Sequence, residues 1–491
     1  MPHDPPLIDA LRSADCYAHA VDAIEVRETH ISWVLLTGRF AYKIKKPVRL
    51  AFLDFSTLES RRRYCAEELR LNRRFAPDLY LAVVPIAGTP AAPRMNGPGE
   101  PIEFAVQLRQ FDPNEELAAL VANDRVPAEA LHEFGSRLAD IHESSAAHSS
   151  DSKAWAAVQS NLRELNAVPV ELEQWLAAEH ARLQSVLDRR GASRRIRECH
   201  GDLHAGNVVR WHGELMAFDC IEFNPDLRHI DVADDVAFLM MDLIARGRRD
   251  LAYACADGWL ERAGDYEAAL VWRWFRVHRA LVRAKVARLQ EHADAAARYL
   301  HNARAELVPI APRLIVMCGL SGSGKTWLST QLLQALAAVR VRSDVERKRL
   351  AGLQAHESSP SSPGGGIYTL EFNDRVYAHL LSCARTVLLG KEHAIVDAAC
   401  LRRHERACFI ALAREMGVAL TIVHCHAPQA ELRSRLLARR GDASEATADV
   451  LDRQLTYWEP FDETERAFVL EVDTRDADAV RSAISNVHRP S

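Results

Sequence analysis

Two short segments of this 491-residue chain have residue types and spacings suited to moving a phosphoryl group. The first reads His-Gly-Asp-Leu-His-Ala-Gly-Asn at residues 200–207. Here Asp202 is placed to accept or orient the proton of a hydroxyl group, and Asn207, five positions on, can reach a magnesium ion from the same loop. The second reads Gly-Leu-Ser-Gly-Ser-Gly-Lys-Thr at residues 319–326 and matches the complete P-loop pattern. Two nucleotide sites of unrelated design predict two domains that each bind ATP.

Other residues of the N-terminal half are placed to complete the first site. Asp219 ends an apolar run and is a candidate second ligand for the metal. Lys43 lies on a predicted strand, where a lysine can clamp nucleotide phosphates, and Glu68 on the following helix can pair with it. Lys45 shares the strand face of Lys43, and Glu67 adjoins Glu68, so the pattern leaves both pairs of alternatives open.

These residues resemble the aminoglycoside phosphotransferase and choline kinase-like family, a branch of the protein-kinase fold, over about residues 20–305. The resemblance implies a set of roles: His200 supports the loop, Asp202 is the catalytic base, Asn207 and Asp219 hold Mg2+, and Lys43 with Glu68 binds the ATP phosphates. One departure is that no Gly-rich loop precedes the lysine, where residues 28–32 read Glu-Thr-His-Ile-Ser. Some members of this family also lack those glycines, so the departure weakens only the nucleotide specificity that the resemblance implies.

The surroundings of the P-loop support the second site. An apolar strand precedes the loop, and a predicted helix over residues 325–338 follows it. Backbone N–H groups at such a helix start face phosphates, and the helix dipole favours their negative charge. Lys325 is predicted to neutralise the β- and γ-phosphate oxygens, and Thr326 to ligate magnesium. The predicted cofactor-binding set of this loop is Gly319, Ser321, Gly322, Ser323, Gly324, Lys325 and Thr326.

Residues for the acceptor follow in the same half. Asp344 lies at the carboxyl end of the second strand, where open parallel sheets bind their ligands, and is predicted to orient or deprotonate the acceptor hydroxyl, with a helix cap as its alternative role. Arg347, one turn later, is predicted to bind an anionic part of the substrate. Asp397 ends another apolar strand and suits the water shell of the metal. Arg435 and Arg439 are predicted to close over the phosphate as a lid, with a solvated basic helix as the alternative.

Residues 311–480 resemble small P-loop kinases such as gluconate kinase, the zeta-toxin kinases and polynucleotide 5'-kinases. The Asp344-x-x-Arg347 pair resembles the acceptor-binding pair of the last group. This resemblance implies a five-stranded parallel sheet with an arginine-bearing lid. The whole chain resembles bacterial fusions of an aminoglycoside phosphotransferase with an ATP-binding protein. Function must still be argued from the sites, because one fold serves many reactions.

The apolar patterns predict an α/β protein of two domains. Residues 1–308 are predicted to form a protein-kinase-like α+β domain, with a small lobe over about 1–107 and a helical lobe over about 108–308. Residues 311–491 alternate strand and helix, which predicts a P-loop kinase-type α/β domain with a parallel five-stranded sheet. Pro309 and Pro312 mark the boundary between the two.

The overall composition bears on the partners and the cellular compartment. The formal net charge of −5 gives no general attraction to nucleic acid or anionic membranes, which disfavours a nucleic-acid partner without excluding one. No apolar run approaches the ~18 residues of a membrane span, and no signal peptide is visible. The ten cysteines are scattered singly, which fits reduced thiols in a cytoplasm. Nothing in the sequence indicates the oligomeric state.

Three further clusters are interpreted as structural. The His424-Cys425-His426 segment lies in an apolar strand, which would point the cysteine away from both histidines. A group of acidic residues suits the first turn of a helix, with an acidic lip for a cationic substrate as the alternative: Asp231, Asp234 and Asp235. A stripe of arginines is typical of a solvated helix face, although it would favour an anionic substrate if it lined a cleft: Arg276, Arg279 and Arg283.

The predicted function is that of an ATP- and Mg2+-dependent phosphotransferase with two ATP-binding domains. Each domain would move the γ-phosphoryl group to a hydroxyl of a small molecule, and whether the two act in sequence on one metabolite stays open. One alternative is 5'-hydroxyl polynucleotide kinase activity in the P-loop domain. Another is a non-catalytic regulator gated by ATP, which the complete sets of bases, metal ligands and lysines disfavour.

Overall fold

The computed structural model describes residues 5–50, 53–147, 153–165, 168–355, 357, 366–438 and 447–488. The chain forms two compact units that do not follow it continuously. Unit 1 comprises Met1–Val126, Ser144–Ser152 and Gly191–Asp235. Unit 2 comprises Pro127–Glu143, Lys153–Arg190 and Val236–Ser491. The division predicted near residues 309–312 therefore lies inside unit 2.

The strands of both units alternate with helices along the chain. The strands are β1 (Glu25–Glu28), β2 (Ser32–Leu36), β3 (Phe40–Lys45), β4 (Arg49–Leu50), β5 (Leu53–Asp54), β6 (Tyr80–Thr89), β7 (Ala92–Met95), β8 (Pro101–Arg109), β9 (Ile196–Glu198), β10 (Val208–Trp211), β11 (Glu214–Ala217), β12 (His229–Asp231), β13 (Arg313–Cys318), β14 (Ala338–Arg342), β15 (His393–Asp397), β16 (Ala419–His426) and β17 (Val469–Asp473). The helices are α1 (Pro6–Ala10), α2 (Leu58–Asn72), α3 (Leu117–Ala122), α4 (Ala128–Ser144), α5 (Ala154–Glu164), α6 (Val170–Ala192), α7 (Val232–Ala245), α8 (Arg249–Ala263), α9 (Ala268–Leu289), α10 (Ala293–Ala305), α11 (Lys325–Leu336), α12 (Ser343–Leu350), α13 (Leu370–Leu389), α14 (Arg403–Met416), α15 (Gln429–Ala438), α16 (Ala448–Tyr457), α17 (Glu463–Arg466) and α18 (Ala477–His488).

Unit 1 is built on an antiparallel sheet with the strand order β1-β2-β3-β8-β6-β7. The predicted hairpin between the second and third strands is confirmed, because β2 and β3 pair antiparallel around a turn at Gly38. Gly38 has a φ of 86°, a left-handed conformation that glycine adopts without strain. Leu35 and Ile44, on these two strands, are buried in one core cluster of the sheet.

Helix α2 places a charged residue in the interior of unit 1. It begins at Thr57, whose side chain accepts a hydrogen bond from the backbone N–H of Ser60 and so caps the helix. Cys65, Glu68 and Leu71 lie on its buried face at spacings of three residues, the period that keeps side chains on one side of a helix. The carboxylate of Glu68 is thereby carried inward among apolar groups.

The parallel sheet predicted for the C-terminal region is confirmed, with five parallel strands among the described residues in the order β14-β15-β13-β16-β17. Strand β13 is central and pairs with both β15 and β16. Its residues Leu314–Cys318 are fully buried, as expected where helices cover both faces of a parallel sheet. Helix α11 follows β13 directly through the P-loop, so the loop lies at the carboxyl end of the central strand.

The arginine stripe on α9 is not a solvated face, so that interpretation is wrong for two of its members. Arg276 is 1% exposed, and its Nε and Nη2 donate to Glu306 at 2.9 and 3.0 Å. Its Nη1 donates to Glu392, just before β15, at 2.9 Å, and Tyr253 also donates to this carboxylate. Arg279 is buried against the ring of Phe238. Within unit 2, α9 is therefore joined to the region of the parallel sheet by buried ion pairs.

The His-Cys-His segment on β16 is structural, as its strand period predicts. Cys425 is buried in the core. The ring of His424 stacks on Trp458 and shares a hydrogen bond of 2.6 Å with Glu471. Separately, none of the helices in the described ranges is both long enough and apolar enough to cross a bilayer.

The buried cluster around Arg276 generates a stability prediction. Replacing Glu392→Ala leaves the guanidinium short of one partner in a site without water, which we expect to lower the free energy of unfolding by about 3 kcal/mol. Urea denaturation followed by tryptophan fluorescence measures this, because Trp272 and Trp274 are buried on the same helix. The control is Glu415→Ala, which breaks an exposed pair with Arg385 and is expected to change stability little. Equal losses in the two variants would contradict the prediction.

Candidate active sites

The segment 200–207 forms a tight loop between β9 and β10 in unit 1. Burial lowers the pKa of His200, so its ring is neutral, and Nε2–H donates to the carbonyl of Phe218 at 2.9 Å. Its Nδ1 accepts the N–H of Asp202 at 3.3 Å. The Nδ2 of Asn207 donates to the backbone oxygen of Asp202 at 3.0 Å and to its carboxylate at 3.2 Å. The predicted base and metal ligand therefore lie side by side on a loop that His200 supports.

Asp235 holds this loop from below, a role that the sequence pattern did not reveal. It is 0% exposed, and its two carboxylate oxygens accept the backbone N–H groups of His200 at 3.0 Å and Gly201 at 2.9 Å. Asp231 and Asp234 are also buried, so the alternative of a solvated acidic lip is wrong for all three. The available signal was the apolar sequence around Asp235, because a carboxylate among buried residues needs donors.

Asp219 follows the β10–β11 hairpin of unit 1, which carries it to the same area. It has a φ of 63°, an uncommon conformation for a residue other than glycine. Its backbone N–H donates to the hydroxyl of Tyr80 at 3.1 Å, which fixes the turn. Its side chain is 45% exposed and so remains accessible to a ligand.

Both candidate lysines contact the same carboxylate. The Nζ of Lys43 donates to Glu68 at 2.9 Å and to Asp219 at 2.5 Å. The Nζ of Lys45 donates to the other oxygen of Glu68 at 2.8 Å and to Glu222. Burial alone would raise the pKa of Glu68, but the two ammonium groups outweigh it and lower the pKa to about 2. Lys43 alone reaches Asp219, so it is the lysine placed at the site, and Lys45 lies behind it.

The remaining alternative, Glu67, is committed elsewhere. It pairs with Arg70 at 2.8 Å and with Arg228 at 2.7 Å. Glu68 is therefore the geometric partner of the lysines. The oxygens offered by Asn207 and Asp219 are of the type that Mg2+ prefers, so this donor set fits a magnesium ion with its nucleotide phosphates.

The P-loop of unit 2 has the close backbone packing that its glycines predict. Gly319 and Gly322 have positive φ values of 138° and 82°. A Cβ atom at Gly319 would lie 2.3 Å from the carbonyl oxygen of Cys425, and one at Gly322 would lie 2.7 Å from that of Leu432. The ammonium of Lys325 donates to the carbonyls of Gly319 and Leu320 at 2.8 and 2.9 Å. Its charge is thus held over the loop that would cradle the phosphates.

A cavity of about 720 Å3 beside this loop brings most of the predicted second-site residues together. The predicted residues that line it are Ser321, Gly322, Gly324, Lys325, Thr326, Asp344, Arg347, Asp397 and Arg435. Gly319 and Ser323 belong to the loop but do not line the cavity, and the Ser323 side chain is 1% exposed. Loop amides, a lysine, a threonine hydroxyl and a carboxylate around one cavity fit a magnesium-bound triphosphate. Asp344 lies in the first turn of α12 after the cap position, so the structure assigns it no cap role.

Asp397 is held by a chain of buried polar groups. Its carboxylate accepts from the hydroxyl of Ser329 at 3.1 Å, and that hydroxyl also accepts from Nη1 of Arg340 at 3.1 Å. Arg340, on β14, donates through Nη2 to Asp257 at 2.6 Å and to Glu261 at 3.2 Å. Both of these carboxylates lie on α8, so the helical part of unit 2 helps to set the predicted metal-binding residue.

His132, on α4, completes this cluster. Its Nε2 lies 3.4 Å from Asp257 and 3.6 Å from Glu261. Burial alone would lower the pKa of His132, but hydrogen bonds to the two carboxylates outweigh it and raise the pKa to about 10. The ring is therefore protonated near neutral pH and supplies a positive charge to the cluster.

The predicted lid residues differ in their placement. The Nη1 of Arg435 donates to Thr474 at 2.8 Å and to the carbonyl of Gly322 in the P-loop at 3.4 Å. Its neighbour Arg433 is exposed and pairs with Asp452. Arg439 lies outside the described residues. Of the predicted pair, Arg435 is thus placed against the phosphate loop.

Gln454, on α16, is a further contact that the sequence did not indicate. Its side-chain oxygen accepts the backbone N–H of Ser321 at 2.7 Å, and the residue is 7% exposed. An N–H group of the P-loop is thereby bonded to a neighbouring helix. No local pattern marks this glutamine, because its partner lies more than a hundred positions away in the chain.

Comparison with known proteins decides the family. Residues 41–272 match the model of the "Phosphotransferase enzyme family", and residues 314–461 match that of an "AAA domain". Over 460 residues the chain is 31% identical to the uncharacterized protein Rv2004c of Mycobacterium tuberculosis and to the uncharacterized protein Mb2027c of Mycobacterium bovis, covering 89% of this chain and 91% of each relative. The chain belongs to the family of these proteins. Its N-terminal region is of the phosphotransferase type and its C-terminal region of the P-loop kinase type, as the resemblances predict.

Solved structures resemble the two regions separately. A choline/ethanolamine kinase family protein from Mesorhizobium loti aligns with a TM-score of 0.40 at 12% identity, over 59% of this chain and 90% of that chain. A gluconokinase from Sinorhizobium meliloti 1021 aligns with a TM-score of 0.26 at 21% identity, over 36% of this chain and 93% of that chain.

The lysine arrangement predicts different outcomes for two substitutions. In a Lys325→Ala background, which leaves the first site as the nucleotide site under test, Lys43→Ala is expected to weaken Mg·AMP-PNP binding about tenfold, because one charge-assisted contact is lost. Lys45→Ala leaves Glu222 and part of Glu68 buried without their cation, so we expect a stability loss of about 3 kcal/mol. Calorimetry and urea unfolding measure the two effects. Lys46→Ala, next in sequence, serves as the control for nucleotide binding, and the reverse assignment of effects would refute the arrangement.

The His132 cluster predicts a pH dependence. Because the folded-state pKa of about 10 exceeds the ordinary value of 6.5, protonation stabilises the fold fully below pH 6.5, and this stability is lost as the pH rises toward 10. The side chain is 34% exposed, so solvent screening reduces the effect to about 1–2 kcal/mol. Between pH 6 and pH 9.5 the wild type should lose that much more unfolding free energy than His132→Gln. Parallel pH profiles of the two proteins would show that the ion pairs contribute nothing.

Proposed function

We propose that this chain is an ATP- and Mg2+-dependent phosphotransferase with two ATP-binding domains, residues 1–308 and 311–491. Each transfers the γ-phosphoryl group of ATP to a hydroxyl of a small-molecule acceptor. The observation that carries the proposal is that each site combines a lysine, a carboxylate base and oxygen ligands for a metal. Phosphoryl transfer depends on positioning and charge neutralisation, and these are the groups that supply both.

In the first domain Asp202 is the catalytic base. Its carboxylate accepts the proton of the acceptor hydroxyl while that oxygen forms a bond to the γ-phosphorus. The bond between this phosphorus and the β,γ-bridging oxygen breaks, and ADP leaves with its electron pair. Lys43, steadied by Glu68, orients the phosphates, and Asn207 and Asp219 hold the metal. Bound Mg2+ would neutralise the charge that develops on the phosphate oxygens.

In the second domain the P-loop amides and Lys325 bind the phosphates, and Thr326 and Asp397 hold the metal with its water shell. Asp344 orients or deprotonates the acceptor hydroxyl. Arg435, which contacts the P-loop carbonyl of Gly322, lies where it can stabilise charge on the transferring group. The bond changes are the same as in the first domain, and the proton passes to Asp344 or to a water that it orients.

A second candidate for the P-loop domain is phosphorylation of a 5'-hydroxyl on a nucleic acid. The observation that favours it is that Asp344 and Arg347, spaced as in polynucleotide 5'-kinases, line the same cavity as the P-loop. The overall net charge of −5 counts against a long nucleic-acid track. Transfer of labelled phosphate from ATP to a 5'-hydroxyl oligonucleotide, compared with single nucleosides and sugars, separates the two candidates.

Two point variants test the two-site proposal in the full-length protein. With labelled ATP and a metabolite panel, Asp202→Asn is expected to reduce one set of phosphorylated products about 10²–10⁴-fold, because a general base is lost. Lys325→Ala is expected to abolish a different set, because the P-loop loses its phosphate-binding cation. Glu415→Ala, on an exposed ion pair, is the control and should leave both sets unchanged. A product profile that neither variant alters would overturn the proposal.

A further inference from the structure

The cavity beside the P-loop has a second basic region that is separate from the loop and the lid. Arg402, which precedes α14, and Arg453 and Tyr457 on α16 line it together with Arg347 on α12. The guanidinium carbon of Arg402 lies 4.9 Å from the ring centre of Tyr457. We call Arg347, Arg402 and Arg453 the arginine cluster.

The three arginines converge on the hydroxyl end of Tyr457. Burial raises the pKa of this phenol and the carboxylate of Glu405 adds to the increase, whereas Arg402, Arg453 and Arg347 each act to lower the pKa. Interactions of this kind fade over a few ångströms inside a protein, so the three side chains surround one position. They come from three helices that the fold brings together.

The cluster carries positive charge that the described parts of the chain do not neutralise by ion pairing. In those parts none of its three members forms a salt bridge, and none has a contact beyond those given in this section. Arg347 is 8% exposed, and its Nε has no hydrogen-bond partner there, although Nη1 and Nη2 donate to the carbonyl of Ile367 and to Asn373. A buried guanidinium with an unused donor is costly unless a ligand supplies the acceptor.

One carboxylate, Glu405, lies close to the cluster but is already bonded. It accepts the backbone N–H of Arg402 and the side-chain amide of Asn373, both at 3.1 Å. Counting this carboxylate against the three guanidinium groups leaves a net charge of about two positive units beside the cavity. A dianion balances that charge, whereas a single carboxylate leaves half of it unmatched.

We propose that the arginine cluster binds a phosphate monoester group of the acceptor that the P-loop domain phosphorylates. The inference rests on the proposed function in that it assumes a hydroxyl acceptor at Asp344. Guanidinium groups match phosphate oxygens with paired hydrogen bonds, which makes arginine suited to this recognition. Arg347 lies one helical turn from Asp344, so one small molecule can present its hydroxyl to Asp344 and its phosphate to the cluster. The substrate class is therefore a phosphorylated polyol, sugar or nucleoside with a free hydroxyl.

The binding test uses the full-length protein loaded with Mg·AMP-PNP, so that both triphosphate sites are filled. Inorganic phosphate is titrated at pH 8, where it is mainly a dianion, and its affinity is measured by calorimetry. The Arg402→Gln/Arg453→Gln double variant should bind phosphate at least tenfold more weakly than the wild type. Arg433→Gln, an exposed arginine of α15 paired with Asp452, is the matched control and should stay within about twofold. Acetate should bind the wild type at least tenfold more weakly than phosphate.

A turnover test uses pairs of acceptors that differ only in a phosphate: ribose and ribose 5-phosphate, glycerol and glycerol 3-phosphate, a nucleoside and its 3'-phosphate. The phosphorylated member should have the higher kcat/KM, and the double variant should lose that preference about tenfold. Phosphate binding that is equal in all variants, or acetate binding as tight as phosphate binding, overturns the proposal. If Lys325→Ala retains every phosphorylation product but the phosphate titration still depends on Arg402 and Arg453, the proposed function fails and the anion site stands.

Discussion

The pairing of buried charges is the constraint on which both candidate sites depend. A charge moved out of water loses several kcal/mol of hydration, so it persists in the interior only beside an opposite charge in good geometry. Glu68 is fully buried and meets this condition through Lys43 and Lys45. The same pairing fixes the lysines, because moving either one would leave the carboxylate exposed to an apolar surrounding. A cation held this rigidly can meet a phosphate without a large loss of side-chain entropy.

The second site applies the same constraint over a longer path. Asp397 bonds to Ser329, Ser329 bonds to Arg340, and Arg340 is neutralised by Asp257 and Glu261. Since each group depends on the next, the orientation of the carboxylate that faces the cavity is set by residues on another helix. The P-loop itself is positioned differently, by glycines that allow backbone segments to approach within distances that a side chain would forbid.

Much of the architecture follows from local sequence patterns. The β2–β3 hairpin, helix α2, the parallel strands and the helix after the P-loop all form where periodicity predicts them, because each depends on neighbours within a few residues. The loop at 200–207 and the P-loop are likewise recognisable, since their chemistry needs fixed spacings. The sequence predicted that Lys43 or Lys45 pairs with Glu67 or Glu68, and the choice became clear only with the fold.

The features that the sequence did not reveal have partners far away in the chain. Arg276 shows the spacing of a solvated stripe, and its burial depends on Glu306 and Glu392, which no local pattern connects to it. Asp235 and Gln454 bond to backbone N–H groups, which leave no trace in residue types. Periodicity reports which face of a helix is apolar, but it does not report which charges will find a partner in the interior.

The contacts that join α8 and α9 to the parallel sheet have a consequence for the history of this polypeptide. Severing the chain near Pro309 would strip Arg340 and Glu392 of their counter-charges and expose a surface evolved to be covered. A fragment beginning there would inherit an unbalanced, sticky face and a loosened Asp397. The two halves are thus no longer interchangeable modules on a common string, and their separation by recombination would be selected against from the first generation.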